Sequence, residues 1–152
     1  MTPLLIVLIV LAIAFDFLNG VHDSSNIVAT MISSRAIQPR AALAITAIAE
    51  FCGPFIFGVA VANTIGHEIV DSHYLNMVVI IAALSSAIVW NIMTWILGIP
   101  SSSSHALIGG IIGAVFVGAG AGAIRMAGVW KVLISLFASP IIGFIAGVII
   151  AN

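Results

Sequence analysis

Apolar residues fall along this chain in five long stretches, residues 3–15, 41–62, 74–97, 106–123 and 132–151, separated by polar or charged positions. The second, third and fifth have about the 20 residues a helix needs to cross a hydrocarbon core about 30 Å thick. The first and fourth are shorter, and each adjoins a polar run. A straight helix from Pro3 to Ser34, just before Arg35, would reach roughly 48 Å at about 1.5 Å per residue, well beyond a bilayer. The pattern therefore predicts a break within residues 16–26, DFLNGVHDSSN, where Gly20 loosens the helix and Asn, Asp and Ser offer partners to freed backbone groups. The fourth stretch opens similarly, with Gly98, Pro100 and the serines Ser101, Ser102, Ser103 and Ser104 before His105. Pro100 suits the first turn of a helix. Two interrupted hydrophobic segments in one chain are the pattern of a transporter's binding site.

Composition turns this pattern into a fold class. Of 152 residues, 62% are hydrophobic and 6% are charged, and the mean hydropathy is +1.33. A water-soluble domain has far more polar surface, so the chain reads as an all-α polytopic membrane protein lying in a lipid bilayer. Lys plus Arg number 4 against 5 Asp plus Glu, which leaves no basic stripe for nucleic acid. The single cysteine, Cys52, rules out an internal disulfide. Residues 3–15 lack a basic n-region and run into a polar motif rather than a cleavage site, so they read as mature protein, not as a signal peptide.

The few charges bear on topology. Arg35 and Arg40 follow the first segment, Glu68 and Asp71 lie between the second and third, and Arg125 and Lys131 between the fourth and fifth. The positive-inside rule places both basic pairs in the cytoplasm. That requires the fourth segment to be re-entrant, dipping in at the serines and returning. The small-residue runs GGIIG, GAGAG and GFIAG, starting at Gly109, Gly118 and Gly143, predict close helix packing. Trp90, Trp95 and Trp130 fall near helix ends, where indoles anchor at headgroups.

Two polar constellations carry the candidate chemistry. In the first, Asp23 sits at membrane depth among Asn19, Ser24, Ser25 and Asn26, with Asp16 and His22 close by. A buried carboxylate is expensive unless it binds a cation, shares a proton or pairs with a base, and neutral oxygens around it suit a hard cation such as sodium. Alone, Asp23 or Ser24 would read as a helix cap. The cluster of ionisable and amide groups points instead to function. Glu50, mid-way along the second segment, is a second buried-carboxylate candidate. In the second constellation, Ser101, Ser102, Ser103 and Ser104 stand at a helix start, where hydroxyls, backbone N–H groups and the positive end of the helix dipole together favour an anion. Such a cradle holds an oxyanion by neutral donors and can release it.

At these residues the chain resembles a known family. NGVHDSSNIVATMISSRAI, residues 19–37, resembles the first Asn-Asp signature of the inorganic phosphate transporter (Pit) family of sodium- or proton-coupled symporters, and GIPSSSSHALIGGIIG, residues 98–113, resembles its Pro-Ser-Ser-Ser-His-Ala-Leu-Ile-Gly motif. The resemblance implies a secondary transporter of inorganic phosphate in a bacterial or archaeal plasma membrane, built of two repeats of opposite topology. It implies that Asn26, Ser102, Ser103 and Ser104 contact substrate, that Asp23 serves the coupling cation, a sodium ion or a proton, and that His105 shapes the turn; the residues themselves add Asn19 and Glu50 as candidates for that cation. No tightly bound cofactor is implied. Each motif occurs once here, so residues 1–152 form a single transmembrane repeat, half of an inverted-repeat transporter. Its second repeat is then a C-terminal half, a separate chain or an antiparallel copy. His22 stands where many relatives carry Asn. Sulfate or another oxyanion is the alternative substrate.

An intramembrane serine hydrolase is a competing class, with Ser104 as nucleophile and His105 as base. Neighbouring residues on a helix point about 100° apart, and no G-x-S-x-G elbow is present. The chain is therefore expected not to be an enzyme.

Overall fold

The computed structural model describes residues 2–57 and 65–151, and within these the chain is almost entirely helical. Five helices follow in order: α1 Pro3–Ser33, α2 Pro39–Phe57, α3 Met77–Leu97, α4 Ser103–Ala119 and α5 Met126–Ala151. The stretch predicted to end at Ala62 runs past α2 into residues outside those described. Among the described residues, α1, α2, α3 and α5 are long and apolar enough to cross a membrane, and α4 has 17 residues.

The break predicted within residues 16–26 does not occur. Helix α1 continues for 31 residues, about 46 Å at about 1.5 Å per residue. Its polar run satisfies itself without unwinding: Ser24 Oγ donates to the Val21 carbonyl at 3.4 Å and Ser25 Oγ to the His22 carbonyl at 2.7 Å. Gly20 costs only about 1 kcal/mol relative to alanine, too little to break so long a helix. The helix stops at Arg35, whose φ of 57° leaves the helical region, and Pro39 then opens α2.

Helices α3 and α4 form an antiparallel hairpin. Asn76 caps α3 by accepting the Val79 N–H at 3.0 Å, and Gly98, at φ 64°, closes it in the left-handed conformation with its N–H on the Thr94 and Trp95 carbonyls. Ser102 then caps α4 by accepting the His105 N–H at 3.4 Å. Along the hairpin Gly110 lies against Ala83 and Ser86 so closely that a Cβ there would fall 2.6 Å from each of their oxygens. Close packing was expected of three small-residue runs, but only Gly110 of the first shows it. Gly109, Gly113, Gly118, Gly122, Gly143 and Gly147 have nothing within 4 Å of a built Cβ. Their faces are open, and the outer side of the hairpin carries an apolar groove of about 780 Å³.

Helix α1 packs on this hairpin through Leu11, Ala12 and Phe15 against Leu84, Ala87, Ala106 and Leu107. Further along, His22 and Asn26 come level with the Gly98–Ser101 tip. The last turns of α1 and the Arg35–Arg40 loop therefore project past the tip. At the opposite end the hairpin base is tied together. Val70 and Ile124 form an antiparallel bridge, with Arg125 N–H on the Ile69 carbonyl at 2.8 Å and Asp71 N–H on that of Ala123 at 3.1 Å. Lys131 pairs with Glu68 at 2.6 Å, and Arg125 with Asp71 at 3.4 Å.

These contacts correct the expected topology. The fourth segment returns alongside α3 to the side where α3 began, so Arg125 and Lys131 lie at the opposite end from Arg35 and Arg40. Antiparallel packing around Gly110 outweighs the weak bias of two basic pairs. Helix α5 meets the turn Ile65–Ile69 at its start, where Gly128 abuts the Glu68 carbonyl. None of its most apolar window is buried, so lipid or another protein covers it.

Candidate functional site

The cleft between α1 and the hairpin tip is the place where both polar constellations meet. Its volume is about 210 Å³, and His22, Ser25 and Asn26 line it from α1 while Thr94, Gly98, Pro100 and Ser101 line it from the hairpin. Helical spacing explains the α1 contribution, because residues 22, 25 and 26 are three and four apart and share a face. The hairpin contribution follows from Gly98: its left-handed turn sends the chain back, so that Ser101 and the start of α4 stand over that face.

Hydrogen bonding settles what the walls can offer. Trp90 Nε1 donates to Ser101 Oγ at 2.9 Å, which occupies that oxygen as an acceptor and leaves its own O–H free to donate. Through this bond Trp90 braces the serine turn. Ser102 Oγ likewise accepts the His105 N–H and keeps a free proton. Thr94 spends its hydroxyl on the Trp90 and Asn91 carbonyls, at 2.9 and 3.1 Å. His22 is 8% exposed, and its Nδ1 has no hydrogen-bond partner among the described residues. No Lys, Arg, Asp or Glu is among the residues lining the cleft. Free hydroxyl donors beside a helix N-terminus suit an anion.

The candidate residues read from the sequence are distributed unevenly around this cleft. Asn26 lines it, and Ser102 caps α4 at its edge. Ser103 is fully buried and Ser104 is exposed. Asp23, half-buried, follows His22 on α1, and Asn19, also half-buried, lies one turn further from the Arg35 end. Glu50 is exposed on α2; it is one turn beyond the buried Thr46, and the cleft does not include it. Ser101 was read only as part of the serine cradle, and Trp90, Asn91 and Thr94 were not singled out as site residues. The signal for Trp90, Asn91 and Thr94 was present as WNIMT, where Asn91 and Thr94 fall on the same face as Ala87 in a largely apolar helix. Among the described residues no group of three His, Cys, Asp or Glu side chains could hold a metal ion. Ser104 and His105 are both exposed, and no hydrogen bond joins their side chains.

The profile of the phosphate transporter family matches residues 19–152. A protein of Bacillus subtilis (strain 168) named "Probable low-affinity inorganic phosphate transporter" is 47% identical over 149 residues, which are 97% of this chain and 44% of that protein. The "Low-affinity inorganic phosphate transporter PitB" of Escherichia coli (strain K12) is 38% identical over 91% of this chain and 31% of its own length. A solved structure described as "The sodium-dependent phosphate transporter" superposes with a TM-score of 0.84 at 31% identity, covering 94% of this chain and 36% of that one. These relatives are transporters rather than enzymes, and the chain spans less than half of their length.

Proposed function

This chain belongs to the phosphate transporter family, and on that premise we propose that it forms one repeat of a secondary transporter moving inorganic phosphate across a bacterial plasma membrane. The cleft beneath the serine turn carries the proposal: Asn26 of α1 and Ser101 of the hairpin both line it, with donors and no fixed charge. Neutral donors can hold a dianion and still let it go. Ser102 adds a second free hydroxyl at the cleft edge, and the first N–H groups of α4 add the helix dipole. Coupling is assigned to a sodium ion or a proton at Asp23, with Asn19 beside it and Glu50 as a second carboxylate. Support for sodium comes from the name of the structural neighbour. A second repeat completes the unit, since one repeat spans less than half of its relatives.

Labelled phosphate uptake into proteoliposomes, with and without a sodium or proton gradient, tests this function. Gradient-driven uptake is expected from the assembled protein, and Asp23→Asn should lose it while inserting normally. Gradient-driven uptake retained by Asp23→Asn removes that residue from coupling. Preferential uptake of sulfate in the same assay would change the substrate, and uptake by a monomer of this length would exclude the second repeat.

A further inference from the structure

Directly below the cleft lies a polar layer whose buried amide and hydroxyl, Asn91 and Ser103, do not line the cleft. Helical spacing identifies its members. Phe15, Ala87 and Leu107 pack in one apolar layer, and one turn nearer the cleft the same three helices present Asn19, Asn91 and Ser103, because residues four apart share a face. Asn91 is 1% exposed and Ser103 0%. Neither Oδ1 nor Nδ2 of Asn91, nor Oγ of Ser103, nor Nδ1 of His22 has a hydrogen-bond partner among the described residues. Buried polar atoms are nearly always paired, with protein or with ordered water.

The donor set distinguishes the ligands that could pair them. A cation would satisfy the lone pairs of Asn91 Oδ1 and Ser103 Oγ, but it would leave the orphaned Nδ2 donor of the same amide without an acceptor. Water accepts from Nδ2, donates to Oδ1, and exchanges either kind of bond with a hydroxyl or an imidazole nitrogen. We propose that ordered water in this layer joins the Asn91 amide to the Ser103 hydroxyl and the His22 ring, which makes Asn91 a positioning residue for the serine turn. Its consequence for transport rests on the phosphate function proposed above.

Ser103 is the first residue of α4, so whatever orients it orients the N–H groups that follow. Asn91 also follows Trp90, whose indole holds Ser101 at 2.9 Å. Adjacent helical residues point about 100° apart. Helix α3 thus grips the turn twice, by the indole on Ser101 and by the amide, through water, on Ser103.

Two measurements on the assembled protein in lipid nanodiscs test the inference. The first is the Trp90 indole N–H resonance, read with Trp95 and Trp130 replaced by phenylalanine and without phosphate. The second is the affinity for inorganic phosphate. Asn91→Leu keeps the size and removes the hydrogen bonding; Ser103→Ala removes the other end and keeps the variant series usable if the leucine protein inserts poorly. Each substitution is expected to shift or broaden the Trp90 resonance and to weaken phosphate binding about ten-fold. The double variant should be no weaker than the poorer single one, because both break one bridge. Additive losses, or an unmoved Trp90 resonance in a protein that binds phosphate, would overturn the inference. So would a changed sodium requirement at unchanged phosphate affinity, which would make the layer a cation site. A wild-type protein that binds no phosphate while the substitutions still move Trp90 refutes the phosphate function and supports the bridge.

Discussion

Replacing Gly110 by alanine puts a methyl group where α3 and α4 already touch. The new carbon would lie 2.6 Å from the Ala83 carbonyl oxygen and 2.6 Å from Ser86 Oγ, where ordinary contact begins at 3.4 Å. One of these obstacles is backbone. The Ser86 hydroxyl is itself held on the Ala83 carbonyl at 2.9 Å, so neither partner swings away freely, and the helices must separate by about 0.8 Å at this level. Overpacking of this kind costs about 1–3 kcal/mol. Gly109→Ala is the matched control, because it gains the same helix propensity of about 1 kcal/mol and meets nothing within 4 Å. Equilibrium unfolding in mixed micelles should therefore separate the two variants by about 1–3 kcal/mol, with Gly110→Ala the less stable. Phosphate uptake should fall as well, since the displaced hairpin carries the serine turn and a misplacement near 1 Å costs up to roughly 100-fold in rate. Equal stability of the two alanine variants would refute the close-packing account of the hairpin.

Three further outcomes are expected. Gly128→Ala should loosen α5 from the hairpin base, because its Cβ would overlap the Glu68 carbonyl; faster proteolysis between residues 120 and 126 measures it, and an unchanged cleavage rate contradicts it. Asp71 is held below its ordinary carboxyl value of 3.8 by the His73 N–H and by Arg125, so its contribution is complete above about pH 4 and is lost as the pH falls through its lowered value. Wild type should then lose thermal stability in acid relative to Asp71→Asn, and parallel pH profiles would count against it. Ser101→Ala frees the Trp90 indole N–H and should shift Trp90 fluorescence as well as weaken phosphate binding about ten-fold; an unaltered spectrum would mean that the bond is not kept in solution.

The apolar stretches were legible because lipid imposes length and periodicity on them, and four of the five become helices of spanning length. The polar run in α1 misled because its composition suggests a break, whereas Ser24 and Ser25 turn their hydroxyls onto their own helix; side-chain direction is not written in composition. The serine turn was legible as a candidate site because donors at a helix start have a mechanism, and Asn26 because it stands in a polar cluster within an apolar segment. Asn91 was not, since a single amide between Trp90 and Ile92 looks like any tolerated polar residue until α1 and α4 close over it. The side of Arg125 and Lys131 was also hidden. It depends on Glu68 and Asp71, 63 positions before Lys131 in the first case, and no local pattern reports such a pairing.

That separation has a consequence for how the chain is made. Glu68 and Asp71 emerge from the ribosome well before their counter-charges, and so does the whole hairpin between them. Until Arg125 and Lys131 follow, the hairpin base carries two uncompensated carboxylates and the bridge partner of Val70, Ile124, has not been synthesised. The start of the last helix therefore supplies both counter-charges that close the base, and they arrive only after the hairpin has been made.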